Sequence, residues 1–380
     1  MSGSTGKRGA KPLSISHQRL LAIIEGSGPV TRAELADLSD LPRPTVTGLV
    51  RELLGRGDVC EREPEVGLRG TGRPPKVLAV TRDPRLVGVL TWADEALHAS
   101  LVTYAGDLVG RTSREVTAAG HDPARAFGPG AELIGAAVRD AGASQEQLTD
   151  VVLSMPHPRG TTEFAADLER DLGVPVLAEN DANLAALGES SAGAGRGLES
   201  FIYVKLGHNV GAGLVFNGLL HRGSSGFAGE LAHVQVRPDG PLCWCGGQGC
   251  LATLVRYSVV DVLRQTRAQR LAAAPESAGQ VADADPGTRR ILADLGRTVG
   301  RPLADLCTVL DPSALVIESM AGDDGGMVLA GVQEMINRYA APAVAESVRV
   351  VPGRLGRRAE VLGGVALVRQ QALERRRRRG

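Results

Sequence analysis

The segment Phe227-Ala228-Gly229-Glu230-Leu231-Ala232-His233 decides the reading of this chain, together with Cys243-Trp244-Cys245-Gly246-Gly247-Gln248-Gly249-Cys250, which begins ten residues beyond the histidine. One imidazole and three thiols in this spacing make a full tetrahedral ligand set. Proteins close a structural zinc site in this way and leave no position open for chemistry. Gly246, Gly247 and Gly249 give the backbone the freedom for the tight turns that would bring three sulfurs to one ion. The alternative is a group of buried free thiols, or a disulfide. Cysteines one residue apart rarely pair, and residues 1–19 carry no secretory signal. Structural zinc held by His233, Cys243, Cys245 and Cys250 is therefore the expectation.

Around this block the composition is ordinary. The chain has 380 residues, 43% of them hydrophobic and 23% charged, enough for two or three domains with full cores. No apolar run approaches the length of a membrane span, and five cysteines fit a reducing compartment. A cytoplasmic location without a membrane partner is expected. The formal charge is zero, so affinity for nucleic acid has to be sought locally. Residues 1–81 hold nine Arg and three Lys against six Glu and three Asp, and Arg375 to Arg379 form a run of five. That run reads as part of a solvated, disordered basic tail over 371–380, with DNA contact as the alternative.

The amino-terminal part has its own logic. Ser16 to Glu25 places Leu20, Leu21, Ile23 and Ile24 at helical spacing. Thr31-Arg32-Ala33-Glu34 has the form of a capping box opening a second helix with Leu35 and Leu38 inward. After Leu41-Pro42-Arg43-Pro44, a third helix turns Val46, Leu49, Val50 and Leu53 inward, while Arg43, Thr45, Thr47 and Arg51 face away. Two short helices about a tight turn describe a helix-turn-helix, whose second helix presents its first residues to base edges. Val59–Arg62 and Lys76–Val80 read as two strands of a wing, with Arg73 and Lys76 near its tip as phosphate or minor-groove contacts. A three-helix packing module without a DNA role is the alternative. Residues 1–15 are expected to be disordered, and the module to span 16–81.

Three stretches carry a family resemblance. They are the Gly-Glu-x-x-His and cysteine block, Glu179-Asn180-Asp181-Ala182-Asn183-Leu184-Ala185-Ala186-Leu187-Gly188-Glu189, and Val204-Lys205-Leu206-Gly207-His208-Asn209-Val210-Gly211-Ala212-Gly213-Leu214-Val215. Together they resemble the ROK family of bacterial sugar kinases and transcriptional repressors, over most of residues 82–370. The resemblance implies a two-lobed α/β domain of the actin and hexokinase type, with ribonuclease H-like lobes. The amino-terminal module, with its Gly72-Arg73-Pro74 step, is similar to the winged helix-turn-helix of the family's repressors, which its kinases lack. By resemblance Asn180, Asp181, Glu230 and His233 hold sugar hydroxyls, and Asp181 is the general base of the kinases.

Other positions depart from the kinase pattern. Leu90 stands for the aspartate and Trp92 for a glycine of the first phosphate hairpin. Leu315-Val316-Ile317-Glu318-Ser319-Met320 replaces the Gly-Gly loop for adenosine, Ala252 replaces a sugar-gripping glutamate, and Met155-Pro156-His157-Pro158 replaces Pro-Gly-Pro. A large indole at a phosphate-binding position and a carboxylate close to where a polyanion would lie work against nucleotide binding. No residue is assigned a catalytic role. The expectation is a homodimeric or homotetrameric regulator, a repressor by resemblance, that binds an inverted-repeat operator in double-stranded DNA. Its ROK domain over 82–370 would be inactive as a kinase and would take a sugar or sugar-derived effector. Alternatives are an ATP-dependent sugar kinase with an added DNA-binding domain, and a ligand-independent DNA-binding protein whose sensor has decayed.

Overall fold

The computed structural model describes residues 14–27, 30–56, 58–62, 76–80, 85–93, 96–116, 127–156, 162–207, 210–255, 286–319 and 326–379. The chain divides into two compact units, Met1–Asp83 and Pro84–Gly380.

The first unit contains α1 (Ile15–Ser27), β1 (Val30–Thr31), α2 (Arg32–Ser39), α3 (Arg43–Arg56), β2 (Val59–Arg62) and β3 (Val77–Val80). Thr31 caps α2 as its sequence requires: its hydroxyl accepts from the Glu34 amide, and the Glu34 carboxylate accepts from the Thr31 amide at 2.7 Å. Such a cap is worth about 1 kcal/mol. Asp40 ends the helix in the left-handed region (φ 53°), which a short polar side chain tolerates, and turns the chain into α3. Leu20, Ile24, Leu35, Val46, Val50 and Leu53 form the core with Val59 and Leu78 of the antiparallel β2–β3 pair. One expectation fails. Leu38 is 52% exposed, and Leu35, Ala36 and Ser39 make the buried stripe instead, because an eight-residue helix turns only one narrow arc inward. The wing tip, Arg73 included, and residues 1–13 of the segment 1–15 expected to be disordered lie outside the described residues, whereas Ile15 already opens α1.

The second unit is built on two five-stranded sheets of identical strand order. The first contains β4 (Leu86–Ala93), β5 (Ala96–Thr103), β6 (Leu108–Glu115), β7 (Leu148–Met155) and β8 (Val176–Asn180), ordered β6-β5-β4-β7-β8. The second contains β9 (Phe201–Leu206), β10 (Val210–Phe216), β11 (Leu219–His221), β12 (Ala314–Ser319) and β13 (Arg349–Pro352), ordered β11-β10-β9-β12-β13. In each, the first three strands form an antiparallel meander and the last two add in parallel.

Period-two alternation sends the side chains of each strand to two layers. Leu86, Leu90, Leu97 and Leu101 face outward to α4 (Gly130–Asp140) and α5 (Thr162–Leu172). Ile202, Val204, Leu315 and Ile317 face outward to α7 (Pro286–Leu310) and α8 (Met327–Tyr339). The inward residues Val87, Val89, Val152, Phe201, Tyr203 and Val316 meet one shared core, filled by α6 (Asp181–Ala192) and α10 (Arg358–Arg379). These two central helices approach backbone to backbone. A side chain at Gly188 would strike the carbonyl of Ala359, and one at Gly363 the carbonyl of Leu184. A short helix α9 (Pro342–Ser347) leads into β13.

The expected disordered tail from 371 is not what the structure has: α10 continues as helix to Arg379. Arginine has good helix propensity, and cations near a helix carboxyl end interact favourably with its dipole. Among the described residues no helix is long and apolar enough to cross a membrane.

Candidate functional site

The inner face of the sheets changes character at the carboxyl ends of the parallel strands. Along β7 Val152 gives way to Ser154. Along β9 Phe201 and Tyr203 give way to Lys205, and along β12 Ala314 and Val316 give way to Glu318. Strand register sets Lys205 beside Glu318. In open α/β sheets, ligands bind outside the carboxyl ends of the strands, and here the polar residues converge where α6 and α10 begin.

Asn180 caps α6: its side-chain oxygen accepts from the Asn183 amide at 3.1 Å, and its side-chain amide donates to the Pro156 carbonyl at 2.9 Å. Asp181 follows in the first turn. One carboxylate oxygen accepts the Ala182 amide at 2.8 Å, and the other accepts from Lys205 Nζ at 3.0 Å. The same ammonium donates to Glu360 Oε1 at 2.5 Å, and Ser154 Oγ donates to Glu360 Oε2 at 2.5 Å. Burial works against the charge of Lys205, but the facing Asp181 and Glu360 carboxylates hold it protonated, well above the ordinary lysine range. Glu318 is turned onto the Tyr203 hydroxyl. Burial pushes its carboxyl above the usual range against the opposing pull of Tyr203 and Lys205. Lys205, Glu318 and Glu360 share a cavity with Thr91, Ala93 and His98 from the first sheet.

Gly211 places β10 against Ala182 and Asp181, and Gly229, at φ 93°, backs directly onto the Ala212 carbonyl. The loop carrying Glu230 is thereby brought beside the start of α6. Glu230 precedes a 3-10 turn, Leu231–His233, and both Glu230 and His233 are half-buried. Leu90 and Trp92 lie in or against the outer apolar layer of the first sheet, so Trp92 does not stand in the cavity beside Lys205. The alternation of β4 sends it outward and turns Thr91 and Ala93 to the cleft. His157 and Pro158 lie outside the described residues.

His233, Cys243, Cys245 and Cys250 come together, with one potential ligand atom from each within 4.8 Å of all the others. The Cys243 sulfur is 3.7 Å from His233 Nδ1, and Cys245 and Cys250 sulfurs are 3.7 Å apart. A tetrahedron with Zn–S bonds of about 2.3 Å has edges of about 3.8 Å. Burial, and then the adjacent sulfurs, push the Cys250 thiol up to about 12. Three thiolates cannot share this space without a cation between them. The donor set and its dimensions therefore fit a tetrahedral metal ion. The Trp244 ring stands edge-on to His233, with centroids 4.9 Å apart.

In the first unit, Arg43, Thr45 and Arg51 are exposed along α3, with Thr47 half-buried. The Thr47 hydroxyl donates to the Arg43 carbonyl at 2.9 Å, which leaves its methyl and an acceptor lone pair outward. Lys76 is exposed and pairs with Glu61 at 3.1 Å, and Arg32 reaches the same carboxylate at 2.7 Å. Sequence reasoning passed over Arg32, Ser154, Tyr203 and Glu360, and quoted Lys205 without assigning it a role. The alternation of β9, extended from Tyr203 to Lys205, is the sequence signal that marks the last.

The sequence profile of the ROK family matches residues 130–371. The chain is 28% identical over 381 residues to the DNA-binding transcriptional repressor Mlc of Escherichia coli, covering 91% of both chains. It is 30% identical over 262 residues to a glucokinase of Streptomyces coelicolor, covering 63% of this chain and 82% of that one. Among solved structures, a ROK family transcriptional regulator homologous to the Escherichia coli protein superposes with a TM-score of 0.65 at 21% identity, covering 94% and 95% of the two chains. The profile match takes in the α6 motif, the cleft lysine and the His-Cys cluster together, and by it this chain belongs to the ROK family.

Proposed function

We propose that the protein is a DNA-binding transcriptional regulator whose ROK domain binds a ligand rather than phosphorylating one. The observation that carries this reading is the amino-terminal module, in which a capped helix, a left-handed turn at Asp40 and an exposed α3 face stand ahead of a two-strand wing. It agrees with the extent of the likenesses, which is 91% of the chain for the repressor and 63% for the glucokinase. A homodimer or homotetramer would present paired α3 helices to an inverted repeat, with half-sites a whole number of helical turns apart. Arg43, Thr45, Thr47 and Arg51 would read or flank base edges, while Arg73 and Lys76 would contact phosphates.

Several features speak against kinase activity. A general base needs a carboxylate free to take a proton, and both oxygens of Asp181 are already engaged, one by the Ala182 amide and the other by Lys205 Nζ. Glu318 places a carboxyl where the family's kinases receive adenosine, and Leu90 offers no acceptor. Asn180, Asp181, Glu230 and His233 retain acceptors and donors suited to a sugar or sugar-derived effector. Zn2+, held by His233, Cys243, Cys245 and Cys250, would close the loop that carries Glu230. A cytoplasmic regulator follows from this reading. Effector binding would alter the spacing of the two DNA-binding modules of an oligomer, and so its fit to the operator.

The test is a footprint on the region upstream of the protein's own gene, repeated with monosaccharides added. Protection of an inverted repeat is expected. Thr47→Ala should relax discrimination at one base pair by about 1–3 kcal/mol, whereas Arg73→Ala should weaken binding to all sequences. Folded variants that both bind like the parent would remove the DNA reading. Turnover of ATP with a hexose, abolished in Asp181→Asn, would instead establish the kinase alternative, to which the retained Asp181 points.

A further inference from the structure

The five-arginine run lies at the end of a helix. Helix α10 spans the 22 residues Arg358–Arg379, with Glu360 of its first turn in the cleft. Its contribution to the central core ends at Leu367 and Val368, and among its described residues beyond Val368 none is buried. Leu373 is 56% exposed.

The charge balance of the chain makes this end exceptional. Residues 369–380 hold six Arg and one Glu, whereas residues 82–368 hold 25 basic against 33 acidic residues. The body of the second unit is therefore net negative, and the end of α10 holds its longest run of cations. A helix carboxyl end gains from a cation within its last turn only, so the dipole alone does not account for five in succession.

Resting on the reading that this protein binds DNA, we propose that the Arg375–Arg379 end of α10 is a second nucleic-acid contact that grips the phosphate backbone without reading sequence. Arginine suits phosphate through its fixed fork of donors. A membrane surface is the less favoured partner, because an interfacial helix needs an apolar face. Residues 374–379 are charged at every position.

The experiment uses the full chain and a full-length variant with Arg375→Gln through Arg379→Gln, since glutamine keeps helix propensity close to that of arginine. Both are titrated with a labelled duplex of the upstream region and with a random-sequence duplex, at salt from about 50 to about 200 mM. Vesicles containing phosphatidylserine are titrated in parallel. If two to four phosphate contacts are lost, the variant's salt dependence is shallower by about 0.9 per contact, so over this range its affinity falls about ten- to a hundredfold less than the parent's. Binding to both duplexes weakens alike and their affinity ratio is unchanged, because phosphate contacts carry no sequence information. A variant matching the parent in affinity and salt slope on both duplexes overturns the inference and leaves the DNA reading intact. So does a variant that loses only vesicle binding. A parent that binds neither duplex overturns the DNA reading itself, and this inference with it.

Discussion

The hairpins β4–β5 and β9–β10 occupy the same place in two sheets of identical strand order, yet they are made from opposite materials. In the second hairpin the strand supplies the small residues. A Cβ at Gly211 would lie 2.9 Å from that of Ala182, and one at Gly213 would lie 2.6 Å from the Ala182 carbonyl oxygen and 2.5 Å from the Ala186 Cβ. In the first, the strand carries Val87 and Val89 and the helix gives way. A Cβ at Gly364 of α10 would meet the Val89 side chain at 3.0 Å. Both solve one problem, the close approach of a central helix to a sheet. The close approach of α6 is by itself a reason for the glycines of β10.

The largest expected effect concerns the His-Cys cluster, which only the second lobe has; among the described residues it is the one group of its kind. Metal analysis should find one zinc per chain. Cys245→Ser should release it and lower the melting temperature, since structural zinc in small domains contributes roughly 10–16 kcal/mol to folding. Well under one equivalent in carefully prepared protein would refute the site.

Next comes Lys205, on the inner face of the second sheet, where the matching strand β4 of the first sheet lines the cavity with the uncharged Thr91 and Ala93. Its folded pKa is raised, so its contribution is fully present below the unfolded value of about 10.4 and is lost only as pH rises through the higher folded one. The parent should therefore show no Lys205-dependent change in stability near neutrality. Lys205→Met leaves Asp181 and Glu360 facing each other without a cation, at a cost of about 3–5 kcal/mol. Adding Glu360→Gln removes one of the two facing carboxylates and should recover part of that cost. No recovery in the double variant would show that the three groups do not interact as described.

The smallest effect separates the two hairpins directly. Gly213→Ala drives a methyl into backbone and should cost about 1–3 kcal/mol in chemical denaturation. Gly364→Ala meets only a side chain and gains up to about 1 kcal/mol of helix propensity, so it should be close to neutral. Equal costs would mean that the glycines of β10 are not there for α6.

Much of this was legible in the sequence, for local reasons. The Thr31–Glu34 capping box, the inward face of α3 and the His-Cys spacing each depend on residues within a turn or a short loop, and each was found as expected. Leu38 was misjudged because a helix of two turns does not reveal which edge of its apolar arc meets a partner. The tail was misjudged because a charge run says nothing of the helix feeding it. Trp92 was placed in the wrong layer because the face of a β residue depends on register, which a motif comparison does not supply. The Lys205–Glu360 pair was out of reach, since its members are 155 residues apart and meet only when both sheets close on the central helices.

The crossing of α6 and α10 fixes how the cleft can open. At Gly188 and Gly363 the helices touch through main-chain atoms, so there are no rotamers to repack and no room for one helix to ratchet past the other. A lengthwise slide of α10 against α6 would force main-chain atoms to overlap, so the two helices cross as one fixed pair and the cleft is floored by it.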